Sequence, residues 1–212
     1  MIDASIESYD DFLSPARLSR ALSRVRAKER LGKLDALPSL HFSAMEEYQL
    51  ISEVAVAGEA IVAGIEESKR VLRDRNSFYD YPNYLRAART IEQGLRLFSA
   101  EYAPTKLTAH GFVMRNSIER SSEIVAALDD EAHNPYVEWF RERLMPRIRE
   151  MDPDLIGISV TFGSQAIPAF TLAKQIKAWK PSCHVTMGGG LLAYVARKLA
   201  DKPPSGIAST AS

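Results

Sequence analysis

The hydrophobic pattern changes period near residue 153, and that change limits what the chain can fold into more than any other feature. Upstream, apolar residues recur at three- and four-residue steps, the spacing of helices that bury one stripe. Downstream, Leu155-Ile156-Gly157-Ile158-Ser159-Val160 is a short, nearly continuous apolar run. Such a run is expected of a strand covered on both faces of a parallel sheet. A polar turn, Thr161 to Gln165, follows, then an amphipathic segment with Ala169, Leu172, Ala173, Ile176 and Trp179 that Pro181 stops. His184-Val185-Thr186-Met187 reads as a second strand ending in Gly188-Gly189-Gly190, and Leu191 to Leu199 as a further helix. The order is β-α-β-α. Two strands alone do not make a stable parallel sheet, and Ile2 and Leu107 to Val113 are the only other strand candidates nearby.

The upstream portion reads as a succession of helices. Ser14-Pro15 sets a capping hydroxyl before a proline at the first helical position, and Leu18, Leu22 and Val25 continue the stripe until Pro38. A long helix is expected from about Ser43, with Glu46 as its capping-box partner. Its stripe is Leu50, Val54, Ala57, Ile61, Ile65 and Leu72. Gly58 and Gly64 either weaken it by about 1 kcal/mol each relative to alanine or mark close helix–helix approach. A third helix carries Leu85, Ala88, Ile91, Leu95, Phe98 and Tyr102 and stops at Pro104. Lys106 to Met114 reads as extended, Ser117 opens a short helix, and another follows Asn134-Pro135 with a bend at Pro146. Residues 202–212 are small and proline-containing and read as a disordered end.

Composition narrows the function classes. Lys plus Arg and Asp plus Glu number 27 each, for a formal net charge of zero. That balance argues against a nucleic-acid or anionic-membrane partner. The single cysteine, Cys183, excludes an intramolecular disulfide framework and a multi-cysteine metal or iron–sulfur site. No apolar run approaches the roughly 20 residues that span a bilayer, and the acidic start lacks the basic region of a signal peptide, so a cytoplasmic location is expected. Arg17, Arg20, Arg24 and Arg26 read as a solvated helical face. Glu66-Glu67 and Asp129-Asp130 are helix neighbours that point different ways. Tyr136, Trp139 and Phe140 read as core, and His41, His110, His133 and His184 as surface or packing residues. No Ser-His-Asp or Cys-His spacing stands out, so no catalytic or metal-ligating residue is assigned.

Open parallel sheets bind ligands at the carboxyl ends of their strands. At the first such end, Thr161 to Gln165 offers hydroxyls and free amides at a helix N-terminus, which suit a phosphate or other polar group. At the second, Gly188, Gly189 and Gly190 let a ligand approach the backbone closely. Both are equally readable as plain strand-to-helix turns. The G-x-G-x-x-G spacing of a nicotinamide site fails, no acidic residue lies near Ala208, and no Gly-Lys-Ser/Thr makes a phosphate-binding P-loop.

Taken together, Asp152-Pro153-Asp154 through Thr161, Ser164-Gln165, Ile167-Pro168-Ala169, Ala173 through Ile176-Lys177, Pro181 and Gly188-Gly189 resemble the cobalamin-binding domain of radical S-adenosylmethionine (radical SAM) enzymes. Asp3, Tyr9-Asp10 and Leu13-Ser14 are similar to the segment after the second strand in members with a long helical insertion. Asn134-Pro135, Phe140, Leu144 and Pro146 are similar to the run-in to their third strand. The resemblance reaches to about Ala200. It implies an α/β fold, a partial Rossmann-like (flavodoxin-like) parallel sheet with a large all-helical insertion. The implied division is a strand of that domain in 1–9, the insertion in 10–133, the β-α-β-α cobalamin-binding portion in 134–201 and the tail in 202–212.

The same resemblance implies cobalamin as cofactor, with Thr161, Gly163 and Ser164 near the corrin or its lower face and Gly188, Gly189 and Gly190 along the nucleotide tail. Family members add a barrel whose CxxxCxxC motif holds a [4Fe–4S] cluster that cleaves S-adenosylmethionine, and many methylate unactivated carbons or build natural products. This sequence has no CxxxCxxC, and the family's first strand and helix and the continuation after Asp201 are also missing. The D-x-H-x-x-G motif that supplies a cobalt-ligating histidine elsewhere is absent too. The implied function is a cobalamin-binding module, truncated or split and catalytically incomplete alone. Cluster and S-adenosylmethionine then come from a missing domain or a barrel-bearing partner chain, and a homo-oligomer is the other implied assembly. Two further readings stand beside it: a non-catalytic helical interaction protein or remnant, and a different nucleotide- or phosphate-binding α/β protein.

Overall fold

The computed structural model describes residues 1–30 and 42–193, with side chains for 1–27 and 49–193. The chain divides into two compact units, Met1–His110 and Gly111–Ser212. Expectations on Pro38, His41, residues 194–199 and the tail at 202–212 lie outside the described residues, and the Ser43–Glu46 cap lies outside the described side chains.

The first unit is helical: α1 (Ala4–Phe12), α2 (Pro15–Arg30), α3 (Phe42–Arg73), α4 (Arg75–Tyr79) and α5 (Tyr81–Glu101), closed by the short strand β1 (Lys106–Thr108). Each start has a local cause. The Ile6 N–H donates to the Asp3 carboxylate at 3.0 Å and the Arg17 N–H to Ser14 Oγ at 3.3 Å. Asp74 and Asp80 accept in the same way from the Ser77 and Asn83 amides at 2.8 and 3.2 Å. These side chains satisfy amides that a helix start leaves without partners. The strand expected in 1–9 is therefore corrected to a helix: Asp3 caps it, and Ser8 and Phe12, four residues apart on one face, are both fully buried.

Helix α3 packs on α5 and α2. Phe12, Leu18, Val25, Ile51, Val54, Ile65, Leu95 and Phe98 form the core, each at most 2% exposed. Phe12 stacks on Phe98 with ring centroids 4.4 Å apart. Gly58 marks the close approach that its position suggested, since a Cβ there would overlap the Leu22 side chain. The arginine row is also corrected. Arg17 is buried, donating to the Tyr102 hydroxyl at 2.7 Å and lying over the Phe98 ring. Arg24 pairs with Glu101 and Arg26 with Glu59. The correction is confined to Arg17, whose side chain is buried against the Phe98 ring; Arg24 stays exposed and Arg20 and Arg26 partly so.

The second unit runs β2 (Gly111–Val113), α6 (Ser121–Ala127), α7 (Pro135–Trp139), a π-helical turn (Phe140–Leu144), α8 (Met145–Met151), β3 (Leu155–Ser159), a 3₁₀ turn (Gly163–Gln165), α9 (Ala166–Trp179) and β4 (His184–Gly188). The extended piece expected at Lys106 to Met114 is present as β1 and β2, and the compact division falls between them, after His110. Helix α6 starts at Ser121 rather than Ser117, whose amide is instead bound by the Glu123 carboxylate at 2.7 Å. Pro146 lies inside a continuous helical run, 135–151, directly after the π-helical turn, whose altered hydrogen-bond spacing accommodates the missing N–H.

Tyr136, Trp139 and Phe140 are core residues, and Tyr136 meets Phe112 edge-on at 5.1 Å. Asn134 is fully buried: its amide group donates to Ala127 O at 2.9 Å and Thr171 Oγ1 at 3.0 Å, while its oxygen accepts the Tyr136 N–H. One residue thus starts α7 and links it to α9.

Strands β3 and β4 are parallel and in register from Leu155 opposite His184 to Ser159 opposite Gly188, joined through α9. The expectation of a strand covered on both faces is corrected. Leu155, Gly157, Ser159, His184, Thr186 and Gly188, which alternate along the two strands, are all exposed, Leu155 at 62%. The other face is half-buried at Ile156, Ile158, Val185 and Met187. Neither Ile2 nor Leu107 to Val113 joins this pair. The described molecule is a mostly helical, mixed α/β protein with short strands.

Candidate functional site

The carboxyl ends of β3 and β4 lie side by side. The Val160 N–H donates to Gly188 O at 2.7 Å, and the Leu191 N–H to Val160 O at 3.3 Å. Thr161 is thereby set beside Gly188, Gly189 and Gly190, so four of the six implied cofactor residues share one edge. Thr161 is exposed, as are all three glycines.

The three glycines answer different demands. Gly189 has φ +112°, and a Cβ there would stand 2.5 to 2.9 Å from the Val160 backbone. It is required by the packing of the two strand ends against each other. Gly188 has no heavy atom within 4 Å of where a Cβ would stand, and at Gly190 the nearest is Thr161 O at 3.6 Å. Among the described residues, the space a side chain at Gly188 would enter is open.

The turn after β3 is not the set of free amides that the sequence suggests. The Thr161 and Phe162 N–H groups both donate to Gln165 Oε1, at 2.8 and 3.1 Å, and the Gln165 N–H returns to Phe162 O at 3.0 Å. This tie was missed from sequence, although a carboxamide four residues after Thr161, at a helix start, is the signal for it. It ties the backbone of Phe162 on both sides, and the Phe162 side chain is 66% exposed.

Gly163 and Ser164 belong to a different surface. A Cβ on Gly163 would meet Ile118 Cδ1 at 2.9 Å, and one on Gly111 would meet Ser164 Cβ at 3.2 Å. Both residues line a cavity of about 370 Å³ whose other walls include Phe112, Met114, Asn116, Ile118 and Ile167. The structure therefore separates Gly163 and Ser164 from the glycine edge that Thr161 shares.

Glu123 holds one wall of that cavity. Its carboxylate accepts the Ser117 N–H at 2.7 Å and an Arg120 N–H at 2.9 Å, and its carbonyl accepts from the Asn116 amide at 3.1 Å. The Ser117 amide and then Arg120 hold its carboxyl below the usual carboxylate range. At the opposite end of β3, Lys180 Nζ binds the Asp152 and Asp154 carboxylates, each at 3.0 Å, and the Pro153 carbonyl at 3.2 Å. Those two aspartates raise its pKa above the ordinary lysine value. This clamp pins the left-handed Asp152 and the start of β3 to the end of α9.

The histidines are dispersed: His110 and His184 are exposed, and His133 meets Asp130 at 2.9 Å. Cys183 is fully buried. Among the described residues no group of three or more His, Cys, Asp or Glu is placed to hold a metal ion, and no helix is long and apolar enough to cross a membrane. Glu66 and Glu67 pair separately with Lys69 and Arg70. Comparison with protein families, curated proteins and solved structures finds no match.

Proposed function

We propose that the second unit is the corrinoid-holding part of a Rossmann-like cobalamin-binding domain of the radical SAM type, catalytically incomplete by itself. One observation carries this reading: β3 and β4 are parallel neighbours, and the loops that follow them meet at a single carboxyl edge where Thr161 adjoins three exposed glycines. That edge is where open parallel sheets take ligands.

The residues fit the group unequally. Gly188, Gly190 and Thr161 present an open surface on which a broad ring can rest without displacing a side chain. Gly189 supports that surface from within. Gly163 and Ser164 fit as the wall of the neighbouring cavity rather than as contacts on the glycine edge. Cobalamin brings a cobalt centre to such a site. Radical chemistry requires in addition cluster-ligating cysteines that these 212 residues do not contain, so this reading assigns them to a barrel-bearing domain or partner chain.

The test is a titration of the purified chain with hydroxocobalamin and, separately, with ATP and inorganic phosphate, read by thermal shift of the tryptophan emission. Stabilisation by the corrinoid alone is the expected result. Stabilisation by ATP or phosphate alone overturns it in favour of a nucleotide- or phosphate-binding protein, and no shift with any of the three leaves a helical interaction protein.

A further inference from the structure

We infer that Phe162 is the residue that recognises the flat face of the ligand's ring at the carboxyl edge, a role that rests on the corrinoid reading above. Single exposed apolar side chains are ordinary on protein surfaces, but Phe162 differs from a stray one in two respects. Its backbone is fixed on both sides, the N–H donating to Gln165 Oε1 and the carbonyl accepting from the Gln165 N–H. The turn thus ties the backbone of a residue whose aromatic ring is 66% exposed, two positions after the buried Val160. Phe162 also directly follows Thr161, whose carbonyl oxygen lies 3.6 Å from where a Cβ on Gly190 would stand, and among the described residues nothing lies within 4 Å of a Cβ on Gly188.

An aromatic face with a wide quadrupole prefers offset stacking on another conjugated or broad apolar surface, and such contact adds to simple burial. A bare phosphate gains nothing from it. The arrangement therefore selects a ligand with a broad, flat, largely apolar ring, and selects for the ring rather than for any polar tail.

The test compares wild type with Phe162→Ala, Phe162→Leu and Phe162→Trp, using hydroxocobalamin and cobinamide, which keeps the ring and lacks the nucleotide. The ring is exposed, so each variant should keep the wild-type urea midpoint. Phe162→Ala is expected to weaken both ligands about tenfold and Phe162→Leu by an intermediate factor. Phe162→Trp should bind as wild type, with its added emission quenched by the bound corrin. Wild-type binding with Phe162→Ala within twofold of it overturns this inference and leaves the corrinoid reading standing. A folded wild type that binds neither ligand overturns both.

Discussion

Gly188, Gly189 and Gly190 are adjacent in sequence and face three different physical demands. Gly189 combines a positive φ with a Cβ position already filled by the Val160 backbone, so Gly189→Ala should destabilise the second unit by roughly 2 to 3 kcal/mol. Gly188→Ala, in open space, should stay within about 0.5 kcal/mol of wild type. Urea unfolding followed by tryptophan emission reads this directly, because both tryptophans, Trp139 and Trp179, belong to the second unit. Equal midpoints for the two variants would contradict the assignment. From sequence the three glycines look alike. What separates them is the pairing of Val160 with Gly188, a contact between residues 28 positions apart that no local pattern encodes.

At the level of the element, two short polar ties shape the candidate site. Gln165→Ala removes the acceptor for the Thr161 and Phe162 amides and should cost about 1 kcal/mol, with faster hydrogen exchange at those two amides. Gln165→Glu keeps the acceptor and places negative charge at a helix start, so it should preserve protection. Glu123 supplies a pH dependence. Its folded pKa lies below the ordinary value of 4.5, so its contribution is complete above that value and is lost as pH falls through the lower folded one. Protection of the Ser117 amide should therefore hold at neutral pH and be lost only in acid beyond the ordinary carboxylate range, as pH falls through the lowered folded pKa, while Glu123→Gln should lower it at neutral pH and remove that acid step.

Helix starts were the legible part at this scale: Ser14-Pro15 and Asn134-Pro135 carry their caps in sequence, and the structure bears both out. Asp3 carried the same signal and was read past, because an apolar Ile2 beside it suggested a strand. Gln165 was visible as a residue but its bond to two amides is a matter of turn geometry.

For the molecule as a whole, the change of period at about residue 153 correctly separates a helical stretch from a parallel β-α-β unit. The compact division nevertheless falls after His110; within the second unit Phe112 meets Tyr136 of α7, and α6 and α7 both pack on α9. Burial of β3 was over-read for a related reason. An apolar run reports what a strand could be covered by, and here one face of the pair, from Leu155 to Gly188, stands in solvent. The central claim is that the edge beside that face holds a corrinoid. The most direct test is to load the purified chain and its Gly188→Trp variant with hydroxocobalamin, desalt both, and record the retained corrin absorbance. An indole at Gly188 fills the open surface without entering the protein interior. Corrin retained by wild type and lost from an equally folded Gly188→Trp is the predicted result; a folded wild type that retains none, or a variant that retains as much, contradicts it.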